Sequence, residues 1–214
     1  PGERVKRPAK GHLSIISQSG SFAVTAMDEL ASEDIGVARV VSYGNMIDVN
    51  ESDCLSFLAG DERTGAVAVY MESIKNGRDF VEAAALCSSK KPVMVIKAGK
   101  GEIAKKAARS HTGALAGRYE FYKAAFKKAG VIELNGYEEF IAGCKAFGCC
   151  KSAAGKRVMI ITDGGGIGVG IADECSTLGL EVSPLKDEVK KDLEEGFPPF
   201  CALTNPMDLT GSVT

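Results

Sequence analysis

Short apolar runs that alternate with longer helical patterns constrain this chain more than any other feature. Runs rich in Val, Ile and Leu are expected as strands at residues 13–16, 37–41, 66–70, 92–96 and 131–134. Helical patterns follow these runs at residues 21–31, 52–58, 79–88, 119–129 and 137–147. Near-continuous apolar runs are typical of parallel strands that are buried on both faces. The alternation therefore predicts right-handed βαβ units and an α/β fold with a doubly wound parallel sheet.

The predicted elements divide the chain into two α/β domains. A linker rich in Pro, Gly and Lys at residues 1–12 precedes five strands over residues 13–150, which suit a flavodoxin-like domain. The small, polar segment CKSAAGK marks the boundary. Residues 151–214 are expected to hold the first part of a second similar α/β domain, with strands at 158–161 and 181–183 and helices at 171–178 and 188–195. Because too few strands remain for a second sheet, the chain is expected to be a truncated piece.

Composition and charge argue against several classes of partner. The 214 residues carry a net charge of −2, so no global field favours nucleic acid or an acidic membrane. The seven cysteines include no CxxC pair, and an odd count without a signal peptide is typical of reduced thiols. No apolar run approaches the roughly 20 residues that span a bilayer. We therefore expect a soluble, cytoplasmic protein without a zinc site.

The first of three notable turns is SQSGS at residues 17–21, between a predicted strand and a predicted helix. Gly20 lets the backbone approach a ligand closely, and the free N–H groups of a helix start attract anions. An ordinary N-cap at Ser19 explains the same residues. A serine-hydrolase elbow requires glycine at positions 17 and 21, where Ser17 and Ser21 stand. The turn therefore indicates anion binding or helix capping.

The second turn is DGGGIG at residues 163–168, again between strand and helix. A dinucleotide fingerprint that starts at Gly164 requires a small residue at position 169, where Val169 stands. Asp187 lies near the spacing expected of a ribose-binding acid, so nicotinamide binding stays an alternative. The other interpretations are a phosphate-type anion at the helix start and close helix–strand packing without a ligand.

The third turn, RSHTGALAG at residues 109–117, contains His111. Small and hydroxyl-bearing neighbours surround this histidine, and such a loop can carry a nucleophile. An imidazole that attacks phosphorus needs an acceptor for its other ring nitrogen, and free imidazole titrates near neutrality. Glu72, at the end of the third predicted strand, is a candidate acceptor, although Glu is usually a surface carboxylate. The only other histidine, His12, adjoins the linker and is expected to be structural or exposed.

Basic residues precede His111, and the sequence has no Walker A loop for a nucleotide. The phosphoryl donor is therefore expected to bind to another domain or chain. The basic residues either steer an anionic substrate or form a solvated face: Lys97, Lys100, Lys105, Lys106 and Arg109.

Eight motifs together resemble the nucleoside-diphosphate-forming acyl-CoA synthetases, especially the ADP-forming acetyl-CoA synthetases, which are relatives of succinyl-CoA synthetase. In chain order the motifs are ISQSGSF, VSYGNMIDVNESD, VAVYMESIKNGRDF, KPVMVIKAGK, RSHTGALAG, AGVIEL, the triple-glycine turn and NPMDLTG. The resemblance covers essentially the whole chain. It implies a fragment of the alpha-type portion of such a ligase, with a fold of the succinyl-CoA synthetase type.

The resemblance also implies a reaction and a set of site residues. Acyl-CoA, ADP and phosphate are interconverted with the free acid, CoA and ATP through an acyl phosphate and a phosphohistidine. His111 is similar to the phosphohistidine, and Glu72 is similar to the carboxylate that supports it. The residues implied to bind phosphate or substrate are Ser19, Gly20, Ser21, Gly44, Asn45, Gly113, Gly164, Gly165 and Gly166. Among them, the Gly44 and Asn45 positions match a loop near the CoA thiol.

The resemblance implies partners that lie outside this sequence. The family also has an N-terminal CoA-binding domain and a nucleotide-grasp domain or subunit, and Mg²⁺ is expected with the nucleotide outside this chain. We expect an oligomeric enzyme and a fragment that is inactive alone. Neither the acid nor the choice of ADP over GDP follows from these residues. The alternatives are a protein acetyltransferase or regulatory relative, a non-catalytic flavodoxin-like binding module and a nicotinamide oxidoreductase.

Overall fold

The computed structural model describes residues 5–101, 118–149 and 153–211. Its contacts divide the chain into two compact units, Pro1–Lys151 and Ser152–Thr214. No helix in the described ranges is both long enough and apolar enough to cross a membrane.

The first unit alternates strands and helices along the chain. Its described elements are β1 (Lys10–Ser17), α1 (Gly20–Ser32), β2 (Val37–Ser42), α2 (Glu51–Gly60), β3 (Ala66–Met71), α3 (Gly77–Ser88), β4 (Val93–Lys97), α4 (Tyr119–Lys128), β5 (Ile132–Leu134) and α5 (Tyr137–Cys149). The expected strands and helices are all present, with bounds that agree to within three residues.

The five strands form one parallel sheet in the order β2-β1-β3-β4-β5. This order confirms the predicted flavodoxin-like, doubly wound sheet. Ser17 at the end of β1 is in register with Ser42 of β2 and Tyr70 of β3. The strand ends are therefore level with one another, and the segments that follow β1, β2 and β3 meet at one edge. We call this the carboxyl edge.

Helices cover both faces of the sheet, which explains why its strands are almost continuously apolar. On one face α2, α3 and α4 contribute Leu55, Phe80 and Phe126 to the core. On the other face α1 and α5 contribute Leu30 and Phe140. Buried apolar surface on both sides fixes the sheet and, through it, the positions of the strand ends.

The described residues of the second unit, 153–211, form two short parallel strands and two helices. These are β6 (Ile161–Thr162), α6 (Gly165–Thr177), α7 (Asp187–Glu194) and β7 (Met207–Asp208). A small apolar cluster of Cys201, Leu203, Met207 and Leu209 lies at its centre.

The strand expected at residues 158–161 is shorter than predicted, and that expected at 181–183 is reduced to one bridge between Arg157 and Glu181. The Asn205 side chain accounts for part of the difference. Its amide accepts a hydrogen bond from Ile160 N (3.0 Å) and donates to the carbonyls of Val158 and Ser183 (both 2.8 Å). Backbone groups that a regular strand would pair with its neighbour are thus paired with a side chain 45 positions away.

Phe140→Ala is expected to lower the free energy of unfolding by about 3–5 kcal/mol, as large cavities in a packed core do. Phe140 is fully buried, and its ring meets that of Phe22 edge-on with 5.0 Å between centroids. Urea denaturation monitored by circular dichroism measures the change. Phe121→Ala, at a site that is 69% exposed on α4, is the control and should stay within about 0.5 kcal/mol of the parent. Equal losses for the two variants would contradict this packing.

Candidate functional site at the carboxyl edge

The SQSGS turn joins β1 to α1 at the carboxyl edge. Ser19 is the N-cap of α1, and its Oγ accepts a hydrogen bond from Phe22 N (3.3 Å). Ser17 Oγ donates to the Ser19 carbonyl (2.7 Å) and accepts from Ser19 N (3.1 Å), which fixes the turn. Gly20 and Ser21 are exposed, and no acidic side chain lies in the first turn of the helix. The capping interpretation is therefore realised, and the positive end of the helix dipole faces outward without a compensating carboxylate of its own.

Gln18, the only glutamine of the sequence, connects this turn to the segment after β3. It is 7% exposed, and its Oε1 accepts hydrogen bonds from Glu72 N (2.8 Å) and Ser73 N (3.0 Å). Its Nε2 donates to Ser73 Oγ (3.1 Å). One side chain thus satisfies the backbone donors that appear where the β1–β3 ladder ends, and it fixes Glu72 beside the start of α1.

Glu72 has one carboxylate oxygen in use and one without a partner. The Tyr70 hydroxyl donates to Oε1 (3.4 Å), whereas Oε2 is shielded from solvent and has no hydrogen-bond partner. Burial, followed by the neighbouring Glu72 charge, raises the pKa of Tyr70 to about 12, so the phenol keeps its proton and remains a donor at neutral pH. The Tyr70 ring stacks on Phe22 of α1 at 4.1 Å between centroids. The unpartnered oxygen can accept a hydrogen bond from a group that enters the carboxyl edge.

Gly44 and Asn45 form a turn that follows β2 at the same edge. Gly44 has φ +54° and Met46 has φ +57°, so the backbone turns through the left-handed region twice. Tyr43 N donates to the Ser17 carbonyl (3.0 Å), and the Tyr43 hydroxyl donates to the Tyr70 carbonyl (3.3 Å). The segments after β1, β2 and β3 are therefore joined by hydrogen bonds, and Ser19, Glu72 and the Gly44 turn share one edge.

His111 and Gly113 lie outside the described residues, as do Lys105, Lys106 and Arg109. Lys100 and Tyr119, which lie on either side of that stretch in the sequence, both contact Glu133 of β5. Lys100 Nζ lies 2.6 Å from Glu133 Oε1, and the Tyr119 hydroxyl donates to the same oxygen. Lys97, at the end of β4, is buried with its ammonium 4.5 Å from the centre of the Tyr122 ring. The basic residues that are described are thus held in specific contacts and are not a uniformly solvated face.

In the second unit, the triple-glycine turn starts α6. Gly164 is its N-cap, and Gly164 N donates to Thr162 Oγ1 (3.0 Å). A Cβ added to Gly165 would lie 2.5 Å from Asp208 Oδ2, whereas one added to Gly166 would meet nothing within 4 Å. A carboxylate of the chain therefore lies against this helix start, which is a favourable place for negative charge. Phosphate binding by Gly164–Gly166 stays a prediction.

Three residues of these sites received no role from the sequence: Gln18, Asp208 and Glu51. All three residues lie inside the eight motifs, and a lone polar side chain at the end of an apolar strand was the available signal for Gln18. Glu51 is fully buried with an unpartnered Oε2, for which the sequence carries no signal. Within the described ranges, no three His, Cys, Asp or Glu side chains are grouped so that they could hold a metal.

The parallel order of the five strands defines a flavodoxin-like α/β protein. Residues 10–147 match the family described as the succinyl-CoA ligase like flavodoxin domain, and residues 158–214 match the Ligase-CoA domain. The chain belongs to this family of CoA-ligase proteins.

Two curated relatives come from Pyrococcus furiosus. The chain is 40% identical over 203 residues to the alpha subunit of ADP-forming acetate–CoA ligase II and 43% identical over 201 residues to that of ligase I. The alignments cover 95% and 94% of this chain but only 44% and 43% of the relatives. The chain therefore spans less than half the length of these relatives.

A solved structure supports the same relationship. The acetyl-coenzyme A synthetase 1 of Candidatus Korarchaeum cryptofilum, in complex with phosphate and ADP, superposes with a TM-score of 0.84 at 35% identity. The match covers 95% of this chain and 44% of that chain. The flavodoxin-like fold and the relationship to ADP-forming ligases, both predicted from the motifs, are confirmed.

Gln18→Leu is expected to lower the free energy of unfolding by about 1–3 kcal/mol, because the N–H groups of Glu72 and Ser73 lose their acceptor in a shielded position. Urea denaturation measures the loss. Ser21→Ala is the control on the exposed side of the same turn and should change stability by less than about 0.5 kcal/mol. A Gln18→Leu variant as stable as the parent would show that the amide does not hold the two segments.

Gly165→Ala and Gly166→Ala are expected to change stability in opposite directions. The first must displace the Asp208 carboxylate or the backbone, so it destabilises the second unit. The second has open space, and Ala is favoured over Gly by up to about 1 kcal/mol inside a helix. Thermal unfolding of the two single variants measures the difference. Stabilisation by both substitutions would place Asp208 away from this helix start.

Proposed function

We propose that this chain is the segment of an ADP-forming acyl-CoA synthetase that carries its phosphohistidine, with His111 as the phosphoryl acceptor and Glu72 as the carboxylate that supports it. The observation that carries the proposal is the shielded, unpartnered Oε2 of Glu72 beside the start of α1. A buried acceptor without a donor is costly, so its presence suggests a donor that arrives during the reaction. A ring N–H of histidine is such a donor.

The proposed reaction has three steps. A phosphate oxygen attacks the thioester carbonyl of the acyl-CoA, the C–S bond breaks, and CoA leaves from a site beside Gly44 and Asn45. The neutral His111 imidazole then attacks the phosphorus of the acyl phosphate, and the P–O bond breaks to release the free acid. The phosphoryl group finally passes from His111 to ADP and forms ATP, while Mg²⁺ accompanies the nucleotide outside this chain.

The residues of the carboxyl edge have defined tasks in this scheme. The exposed start of α1, at Ser19, Gly20 and Ser21, stabilises the phosphoryl charge through backbone N–H groups and the helix dipole. Tyr70 donates to Oε1 of Glu72, which leaves Oε2 available to the imidazole N–H. A carboxylate in this position orients the ring and stabilises the imidazolium-like charge that forms on phosphorylation. The glycine turn at Gly164–Gly166 is proposed as a second phosphate-binding helix start.

The partners proposed for the complete reaction are a nucleotide-grasp domain or subunit, an N-terminal CoA-binding domain and an oligomeric assembly. The ligase subunits similar to this chain are more than twice its matched length. The activity is therefore assigned to the complete enzyme in the cytoplasm and not to these residues alone.

The complete enzyme, incubated with γ-labelled ATP and magnesium, is expected to acquire acid-labile, base-stable label, because phosphohistidine has that stability. His111→Asn should abolish the label. His12→Asn is the matched control, since His12 is the only other histidine of the chain and lies exposed on β1, and it should label like the parent. Glu72→Gln should retain the fold and lower the rate of labelling.

Label that persists in His111→Asn would place the phosphoryl group elsewhere. A folded complete enzyme that takes no label and makes no acyl-CoA-dependent ATP would overturn the ligase function and favour a regulatory relative. Flavin absorbance in the purified protein would instead favour a flavodoxin-like binding module.

A further inference from the structure

Glu51 is a buried acid that the proposed reaction does not use. It is the first residue of α2 and is 0% exposed. Its Oε1 accepts a hydrogen bond from Lys75 N (3.3 Å), and its Oε2 is shielded without any partner. Within the part of the chain that the structure describes, Glu51 and Glu72 are the only residues with such a buried, unpartnered side-chain oxygen.

Lys75 extends this contact to a second segment. Its backbone N–H is held by Glu51, and its Nζ donates to the Met46 carbonyl (3.1 Å). Met46 has a positive φ of 57°, a strained conformation for a residue with a side chain, and belongs to the turn at residues 44–46. A strained turn persists only where its surroundings hold it, and Lys75 supplies one such contact.

We propose that Glu51 and Lys75 are positioning residues that fasten the turn at residues 44–46 to the segment at residues 72–76, so that the CoA side and the histidine side of the carboxyl edge keep one geometry. This inference rests on the proposed function for the identity of the two sides. The fastening itself rests on the contacts of Glu51, Lys75 and Met46 alone.

Burial of the Glu51 carboxyl favours its neutral form. An ionised carboxylate with one bare, shielded oxygen loses its hydration without compensation. Burial is the main cause that raises the pKa of Glu51, and the Asp53 charge adds to it, whereas the backbone N–H groups and the Lys75 charge oppose it. Tyr43 and Cys54 also face this group, and burial is the main cause that raises the pKa of each of them, so they add no negative charge at neutral pH.

The sign of the pH effect follows from the raised pKa of Glu51. The folded protein keeps a proton that the unfolded chain releases above about pH 4.3, the ordinary value for Glu. Stability therefore falls as the pH rises from there through the pKa of the folded state. Glu51→Gln imitates the neutral acid and retains the acceptor for Lys75 N, so it should be at least as stable as the parent at neutral pH. The variant should also lack the loss of stability with rising pH that Glu51 causes. Glu62→Gln, at an exposed site, is the control and should lose stability with rising pH as the parent does.

Lys75→Met tests the fastening without disturbing the core, because Lys75 is exposed and its backbone N–H stays in place. In the complete enzyme, hydrogen–deuterium exchange at residues 43–50 should rise about fivefold, the factor that corresponds to one average hydrogen bond. The KM for acyl-CoA should rise by about the same factor while kcat stays within about twofold, since ground-state positioning is lost and the chemistry is not. Lys90→Met, at an exposed site that precedes β4, is the control and should alter neither quantity.

The outcomes separate this inference from the proposed function. Parent-like exchange and KM in Lys75→Met would overturn the fastening. A Glu51→Gln variant that loosens residues 72–76 would instead overturn the neutral form of Glu51. A parent enzyme that makes no acyl-CoA-dependent ATP would overturn the proposed function instead. The exchange and stability measurements would then still decide whether Glu51 and Lys75 hold the two segments together.

Discussion

The hydrogen bonds of the Gln18 amide organise the carboxyl edge on which the rest of the site depends. Where parallel strands end, backbone N–H groups lose the partners that the ladder supplied, and buried donors of this kind must be satisfied by something else. Gln18 Oε1 accepts from both Glu72 N and Ser73 N. The same residue immediately precedes the cap of α1. One amide therefore sets the geometry between a helix start that attracts anions and a carboxylate that can orient a base.

The sheet was predictable because burial on both faces leaves a direct imprint on the sequence. Each strand of the first unit is an apolar run, and each run alternates with a helical pattern. The order of the elements along the chain and the α/β fold class therefore follow from the periodicity. The strand pattern is weaker in the sequence of the second unit, because side-chain hydrogen bonds replace part of the hydrogen bonding between its strands. The Asn205 side chain forms hydrogen bonds with backbone groups of Val158 and Ile160. The sequence near residues 158–161 does not indicate that these groups will pair with a side chain 45 to 47 positions away.

In the candidate site too, some residues could be found from their sequence neighbours, whereas the roles of others depend on contacts with distant segments. Ser19 and Glu72 could be selected because a motif or a strand end surrounds them in the sequence. The roles of Gln18, Glu51 and Asp208 depend on contacts with segments that the fold brings together, such as the 54 positions between Gln18 and Glu72. Asp208 also changes the meaning of the triple-glycine turn. Gly165 leaves room for a carboxylate of the chain itself, so a glycine-rich helix start is not by itself evidence of a free anion site.

Glu51 and Glu72 each place a shielded oxygen at one edge, which raises an electrostatic difficulty for any enzyme that binds phosphate there, because like charges in a shielded site repel strongly. The contacts suggest how the difficulty is resolved. The exposed start of α1 has no acidic side chain in its first turn, so in the proposed function its positive dipole end is available to the phosphoryl group. Glu51 is shielded, and burial raises its pKa, which favours the neutral form of the acid. Glu72 keeps one oxygen for a donor. In the proposed function that donor is the imidazole of His111, and its bond with Glu72 directs the carboxylate charge to the ring and away from the phosphate.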